Sequence, residues 1–200
     1  MGVFITFEGP EGSGKSTQIE LLSKALADRG PVLVREPGGT DIGERIRDIL
    51  LNGNFDIDAE AEMYLFMAAR RQLIAEVIEP ALAAGHIVIA DRYHESTLAY
   101  QGGGRNIATT WPGSFPRPDI TFLLKLDAVH GRARQSAARK NADRMERESM
   151  EFHDRVVAEY DRLALSDPKR IVTLDASKPA SEVHASVLAR LKPLLAATKV

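Results

Sequence analysis

Apolar and polar positions along the chain alternate between two periods. Short runs of β-branched and aromatic residues occur at Val3-Phe4-Ile5-Thr6-Phe7, Val32-Leu33-Val34, Ile87-Val88-Ile89-Ala90, Ile120-Thr121-Phe122-Leu123-Leu124 and Ile171-Val172-Thr173-Leu174. Near-continuous apolar runs of that length suit strands buried on both faces of a parallel sheet. Between them the apolar residues fall three and four apart, as on one face of a helix. Ile19, Leu22 and Leu26 mark a helix over 16–27; Ile42, Ile46, Ile49 and Leu50 mark a second, ended by Asn52-Gly53-Asn54. Met63, Met67, Ile74, Val77, Ile78 and Leu82 predict a long helix over 58–84, kinked at Pro80 and stopped at Gly85. A short helix is expected over 96–101, another from about Val129, a third over 147–165 and a last over 179–195. The stretch 108–118, with three prolines and the single Trp, fits neither period and reads as irregular. Strands alternating with helices predict an α/β fold: a doubly wound, five-stranded parallel sheet flanked by helices, in one domain over 1–200.

Composition narrows the function classes. The 200 residues carry a formal net charge of −2 with a sequence pI near 6.2, which argues against a nucleic-acid-binding surface. With no cysteine there is no disulfide, thiolate metal site or thiol nucleophile, as befits a reducing cytoplasm. No apolar run is long enough to span a bilayer, and no basic flank marks a signal peptide. Met1, Gly2 and Thr6 fit a myristoylation pattern, but they lead straight into the first strand. The expectation is a cytoplasmic protein with small-molecule partners, no nucleic acid and no membrane.

One segment carries chemistry. Gly9-Pro10-Glu11-Gly12-Ser13-Gly14-Lys15-Ser16 matches the phosphate-binding pattern G-x-x-x-x-G-K-[ST] at every fixed position, between a strand and a helix. Glycines let the backbone N–H groups curl around an anion, and the helix N-terminus adds its positive dipole end. In this pattern Lys15 reaches the β- and γ-phosphates of a nucleoside triphosphate and the Ser16 hydroxyl ligates Mg²⁺. A GTP switch is set aside, because no Asp has Gly three residues later and Leu124-Lys125-Leu126-Asp127 lacks the polar first residue of the guanine motif. Arg47, Arg92 and the basic run Arg132, Arg134, Arg139, Lys140, Arg144 and Arg147 favour a kinase of small phosphorylated acceptors. An acceptor phosphate is largely a dianion at neutral pH, so it needs fixed cations and Mg²⁺ more than a general base.

Four motifs in order then resemble the bacterial thymidylate kinase family: Phe7-Glu8-Gly9 through Ser16-Thr17; Arg35-Glu36-Pro37-Gly38-Gly39-Thr40; Phe66 with Arg70; and Asp91-Arg92-Tyr93 through Ser96, Tyr100, Gln101 and Gly102-Gly103-Gly104-Arg105. Asp143-Arg144-Met145-Glu146 and Asp175-Ala176-Ser177 match more loosely. The resemblance implies transfer of the γ-phosphoryl of MgATP to dTMP, by a homodimer. It places Phe66 on the thymine ring, Arg70 on its O4, Thr97 and Gln101 near the base edge with Ser96 beside them, and Tyr100 against the deoxyribose. Arg47 and Arg92 would hold the acceptor phosphate, and Asp91 would orient the Mg²⁺ hydration shell. Glu11 would lie near the sugar 3′-hydroxyl, with Glu36 in the same neighbourhood. The phosphate loop has no basic residue besides Lys15, so the resemblance assigns catalytic arginines to a lid over 137–149, namely Arg139, Arg144 and Arg147. Residue by residue, Phe66 also reads as core, Arg70 as a surface ion pair and Tyr100 as packing. Two other activities stay open at this stage: a kinase of another monophosphate or of a deoxynucleoside, and a nucleotide-dependent sensor with no small acceptor.

Overall fold

The computed structural model describes residues 2–53, 55–127, 129–131, 133–134 and 142–197. The five strands are β1 (Val3–Glu8), β2 (Val32–Arg35), β3 (Ile87–Asp91), β4 (Ile120–Lys125) and β5 (Ile171–Asp175), all parallel, in the order β2-β3-β1-β4-β5. β1 is central, so alternate side chains bury on opposite faces. Val3, Ile5 and Phe7 pack with Leu22 of helix α1 (Lys15–Ala25) and with Val187 and Leu191 of the last helix (Ala180–Ala197). Phe4 points the other way, against Leu73 and Ile78. Glu8 shares the Phe4 face, which is how a carboxylate comes to lie beneath the site.

Helix α2 (Asp41–Arg47) is capped by Thr40, whose hydroxyl accepts from the Gly43 N–H. It runs into a wider π turn, Asp48–Asn52. The long helix expected over 58–84 forms in three consecutive pieces: α3 (Ala59–Leu73), a π turn (Ile74–Ile78) and α4 (Glu79–Ala83). Pro80 is the second residue of α4 and has no N–H to give to the preceding turn, and the π turn lies just before it. The next helix, α5 (His94–Thr97), continues as a π turn over Leu98–Gly104 that takes in the glycine triplet. A Cβ on Gly104 would stand 2.5 Å from the Phe152 ring, and one on Gly103 2.6 Å from the Glu159 Cβ, so the triplet allows helix α6 (Met150–Ser166) to lie close. α6 begins three residues later than its periodicity suggests, because the Ser149 hydroxyl caps it by accepting from the Phe152 N–H. Residues 106–119 are irregular, as expected.

Candidate active site

β1 delivers the chain to the phosphate loop at the C-terminal edge of the sheet, where ligands of open α/β folds bind. The loop needs its glycines. Gly9 has φ 135° and a Cβ there would meet the Leu124 carbonyl at 2.5 Å; Gly12 has φ 71° and a Cβ would collide with the Gly131 carbonyl. Space around Gly14 is open. The first N–H groups of α1 have no intrahelical acceptor and face this space. Lys15 is buried, and its Nζ donates to the carbonyls of Gly9 at 3.1 Å and Pro10 at 3.0 Å. Burial, then the nearby Arg92 cation, hold its pKa below the usual lysine range. The Ser16 hydroxyl donates to Asp91 Oδ2 at 3.1 Å, across from the end of β3.

After Asp91 the backbone turns left-handed at Arg92, φ 71°, a conformation that costs a residue with a Cβ about 1 kcal/mol. That turn lays the guanidinium across the loop. Nη1 donates to the Gly9 carbonyl (3.1 Å), Ser96 Oγ (3.1 Å) and Tyr160 Oη (3.3 Å); Nη2 donates to Glu11 Oε1 and Tyr100 Oη. Against the cost of burial, Glu11 above all keeps Arg92 charged. Beneath it, buried Glu8 accepts from the Tyr93 N–H (2.7 Å), the Ser96 hydroxyl (2.7 Å) and the Tyr160 hydroxyl (2.8 Å).

On α3, Phe66 and Arg70 share one face and both line the cavity. The reading of Arg70 as a surface pair differs from this placement, whereas Phe66, half-buried, also packs against the core cluster that holds Leu50, Tyr100 and Phe152. Arg70 is 2 % exposed, and its Nε donates to Glu36 Oε2 at 2.6 Å. Glu36 is thus paired with Arg70, and it lines the same cavity as Glu11. Among the described residues its Oε1 is buried without a partner, a polar atom that a ligand or water would satisfy. Thr97 accepts from Arg70 Nη1, and Gln101 donates its amide to Glu62 Oε1 at 2.9 Å. Arg47, half-buried on α2, donates to the Pro37 carbonyl at 2.7 Å. These groups border one cavity of about 510 Å³, running from Gly12, Lys15, Ser16 and Thr17 to Phe66, Arg70, Thr97 and Gln101, with Arg47, Arg92 and Tyr100 between.

The lid arginines divide. Arg139 lies outside the described residues, as do 137–138 and 140–141. Arg144 does not line the cavity: Nε donates to the Leu50 carbonyl and Nη2 to Glu62 Oε2 at 2.6 Å. Glu62 is fully buried, and Arg105 pairs with it as well, so a desolvated carboxylate there outcompetes any anion in the open cavity. Arg147 is exposed and bonds the Ala142 carbonyl. Instead the cavity wall here carries Arg134 of the basic run, with Asp143, Met145 and Glu146 of the looser motif, to none of which sequence reading gives an individual role. Glu8 stands in the first motif with no role assigned to it there, and His94 and Tyr160 are not picked out from sequence.

Two buried carboxyls make stability depend on pH. Burial, then Glu95, push Glu8 up to about 7 from 4.5, and burial pushes Glu36 up to about 7 against the pull of Arg70. A carboxyl with a raised folded pKa binds protons more tightly when folded. Its contribution is full below the unfolded value and lost as the pH rises through the folded one. The urea midpoint should therefore fall between about pH 5 and about pH 8, and Glu8→Gln should flatten that slope; a wild-type midpoint that does not fall over this range would show both carboxylates ionised throughout.

Comparison with known proteins agrees with this arrangement. A family model described as thymidylate kinase matches residues 7–187. The chain is 45 % identical over 199 residues to a thymidylate kinase of Leifsonia xyli subsp. xyli, covering 95 % of this chain and 94 % of that protein. Against a thymidylate kinase of Pseudomonas fluorescens it is 46 % identical over 204 residues, covering 97 % of each. A crystal structure of thymidylate kinase from Ehrlichia chaffeensis superposes with a TM-score of 0.74 at 32 % identity, over 96 % of this chain and 98 % of that one. A strand order, a phosphate loop and a cavity reaching Arg70 could each arise separately, but with identity sustained over nearly the whole chain they have one explanation: the chain belongs to the thymidylate kinase family.

Proposed function

We propose that the cavity is divided into a donor end at the phosphate loop and an acceptor end at α3, and that these residues carry out the thymidylate kinase reaction. In that reaction the γ-phosphoryl of ATP passes to dTMP, giving dTDP for dTTP synthesis. The observation that carries the assignment is the continuity of one cavity from Lys15 to Arg70.

At the donor end, the loop 9–17 cradles the ATP phosphates and Lys15 leaves the Gly9 and Pro10 carbonyls for the β- and γ-oxygens. The Ser16 hydroxyl beside the Asp91 carboxylate is a hard-oxygen pair suited to Mg²⁺, which tolerates few protein ligands and keeps several waters. When bound, Mg²⁺ would neutralise charge on the transferring phosphoryl group. At the acceptor end, Phe66 stacks on thymine, Arg70 donates to O4, and Thr97 and Gln101 face the base edge. Tyr100 closes on the deoxyribose with Glu11 toward the 3′-hydroxyl. Arg47 and Arg92, with Ser96 bracing Arg92, hold the acceptor phosphate. Arg144 being committed to Glu62, the lid cation for the transition state falls to Arg139 or Arg147. Large apolar side chains exposed on and beside α2 and α3, namely Ile42, Ile49, Phe55 and Tyr64, suit contact with a second copy in a homodimer. No helix among the described residues is long and apolar enough to cross a membrane; a cytoplasmic location is our reading of the cysteine-free sequence.

Acceptor choice tests this reading. Arginine only donates, so it satisfies O4 of thymine but meets the N4 amino group of cytosine donor to donor. An unpaired buried donor costs about 1–3 kcal/mol, and more if charged. With MgATP, kcat/KM should therefore rank dTMP above dUMP and far above dCMP, the loss of one methyl costing dUMP about 1–3 kcal/mol. Arg70→Gln offers both donor and acceptor and should narrow the dTMP-to-dCMP ratio, mostly through lost dTMP activity. An unchanged ratio would remove Arg70 from base reading, and ATP turnover undiminished without acceptor would favour a sensor.

A further inference from the structure

Arginine has five N–H donors, and four of those on Arg70 are taken within the protein. Nε goes to Glu36 Oε2 (2.6 Å), Nη1 to Thr97 Oγ1 (2.8 Å) and His94 Nδ1 (3.2 Å), and Nη2 to the Tyr93 carbonyl (3.0 Å). One Nη2–H is left for the cavity. Three of the four acceptors can only accept in these positions or rotate freely to do so: a carboxylate, a carbonyl and a hydroxyl. The imidazole is different, because its nitrogen accepts only in one tautomer.

That tautomer is set from outside the site. His94 Nε2 lies 3.0 Å from the Thr110 carbonyl, which cannot donate, so Nε2 carries the hydrogen and Nδ1 presents its lone pair to Arg70. Burial, then the adjacent Arg70 cation, push the His94 pKa down to about 3, so the ring is neutral. The ring has no room to turn. It is fully buried, edge-on to Trp111 at 4.7 Å and to Phe115 at 5.7 Å between centroids, and Trp111 Nε1 donates to the Phe115 carbonyl. Arg117 lies over the Trp111 ring, 4.6 Å from its centroid.

We propose that His94, clamped by the irregular segment 106–119, is a positioning residue for acceptor choice: its Nδ1 holds the Arg70 guanidinium so that a single N–H meets the base edge. The inference rests on the reading of Arg70 as the base contact. It gives segment 106–119 a function, although that segment does not border the cavity. Without the Nδ1 acceptor, Arg70 keeps its bonds to Glu36, Thr97 and the Tyr93 carbonyl but has two free donors, on different nitrogens, so the single N–H that meets the base edge is no longer specified. An acceptor group on the base would then be met less well, and the penalty against a donor such as N4 of cytosine would relax.

The test compares side chains that keep or lose the acceptor. Asn places Oδ1 near the position of Nδ1, Gln reaches only toward Thr110, and Phe keeps the ring packing with no acceptor. The dTMP-to-dCMP ratio of kcat/KM should fall about tenfold in His94→Phe and in His94→Gln, as expected for a lost hydrogen bond to a charged group. The change should sit in KM for dTMP, and His94→Asn should recover most of the ratio. In an Arg70→Gln background, His94→Phe should leave the ratio where Arg70→Gln put it, an outcome that a merely structural role would not produce. If His94→Phe fails to fold, the Asn and Gln pair makes the same contrast. Equal ratios in wild type and the acceptor-lacking variants, alongside a shifted ratio in Arg70→Gln, would overturn the role of His94 alone. No shift in Arg70→Gln itself would overturn the base reading beneath it.

Discussion

Lys15→Ala is expected to lower kcat/KM for dTMP phosphorylation by on the order of 10³-fold while leaving a folded protein. Loss of one preorganised charge-stabilising donor costs roughly 10²–10³ in kcat in other enzymes, and Lys15 meets transferring charge with a full cation. Its fold contribution is small by comparison. Nζ is held by two backbone carbonyls of the loop, and the ammonium is buried at a cost that already depresses its pKa. Removing it relieves that burial and leaves the carbonyls of Gly9 and Pro10 to water. Thermal unfolding should therefore stay within a few degrees of wild type, and ATP affinity measured by calorimetry should fall along with the rate. A folded Lys15→Ala protein turning over at near-normal rate would remove the donor end of the site.

Arg92 should produce a loss of similar size, and its backbone allows side chain and conformation to be separated. Substitution by Gly keeps the left-handed turn at no steric cost; substitution by Ala must adopt φ 71° with a Cβ. Both lose the guanidinium that ties the Gly9 carbonyl and Glu11 of the loop to Ser96, Tyr100 and Tyr160. We expect kcat to drop roughly 10³-fold in each, within the range known for transition-state arginines, with Arg92→Ala additionally less stable than Arg92→Gly by about 1 kcal/mol. Arg92→Lys should recover little, since one ammonium cannot make a forked set of contacts. The checks are single-turnover rates and urea midpoints for the three variants. A kcat within tenfold of wild type in Arg92→Gly would confine Arg92 to holding the loop.

Much of this protein is legible without coordinates. The sheet follows from five short runs of β-branched and aromatic residues, because strands covered on both faces are apolar at nearly every position. The donor end follows from the phosphate-loop spacing, because an anion cradle is built from consecutive backbone N–H groups, and consecutive residues are what a sequence displays. Phe66 and Arg70 are legible as a pair for a related reason: four residues along a helix place both on one face.

What the sequence leaves undecided depends on which distant segments come together. Arg144 sits in a basic run and reads as a lid cation, yet it is drawn to Glu62, 82 residues away, and it is the full burial of Glu62 that decides the matter. Glu36 lies in a motif that does not name its partner, and packing pairs it with Arg70. Glu8, His94 and Tyr160 carry no spacing signature, because their roles come from what surrounds them. Glu8 is beneath Arg92 because the face of β1 it shares with Phe4 looks toward α5 and α6. Local periodicity therefore determined the elements and the phosphate loop. The electrostatic partners of the buried charged groups were determined only by tertiary structure, because desolvation and pairing depend on three-dimensional neighbours, which sequence separation does not encode.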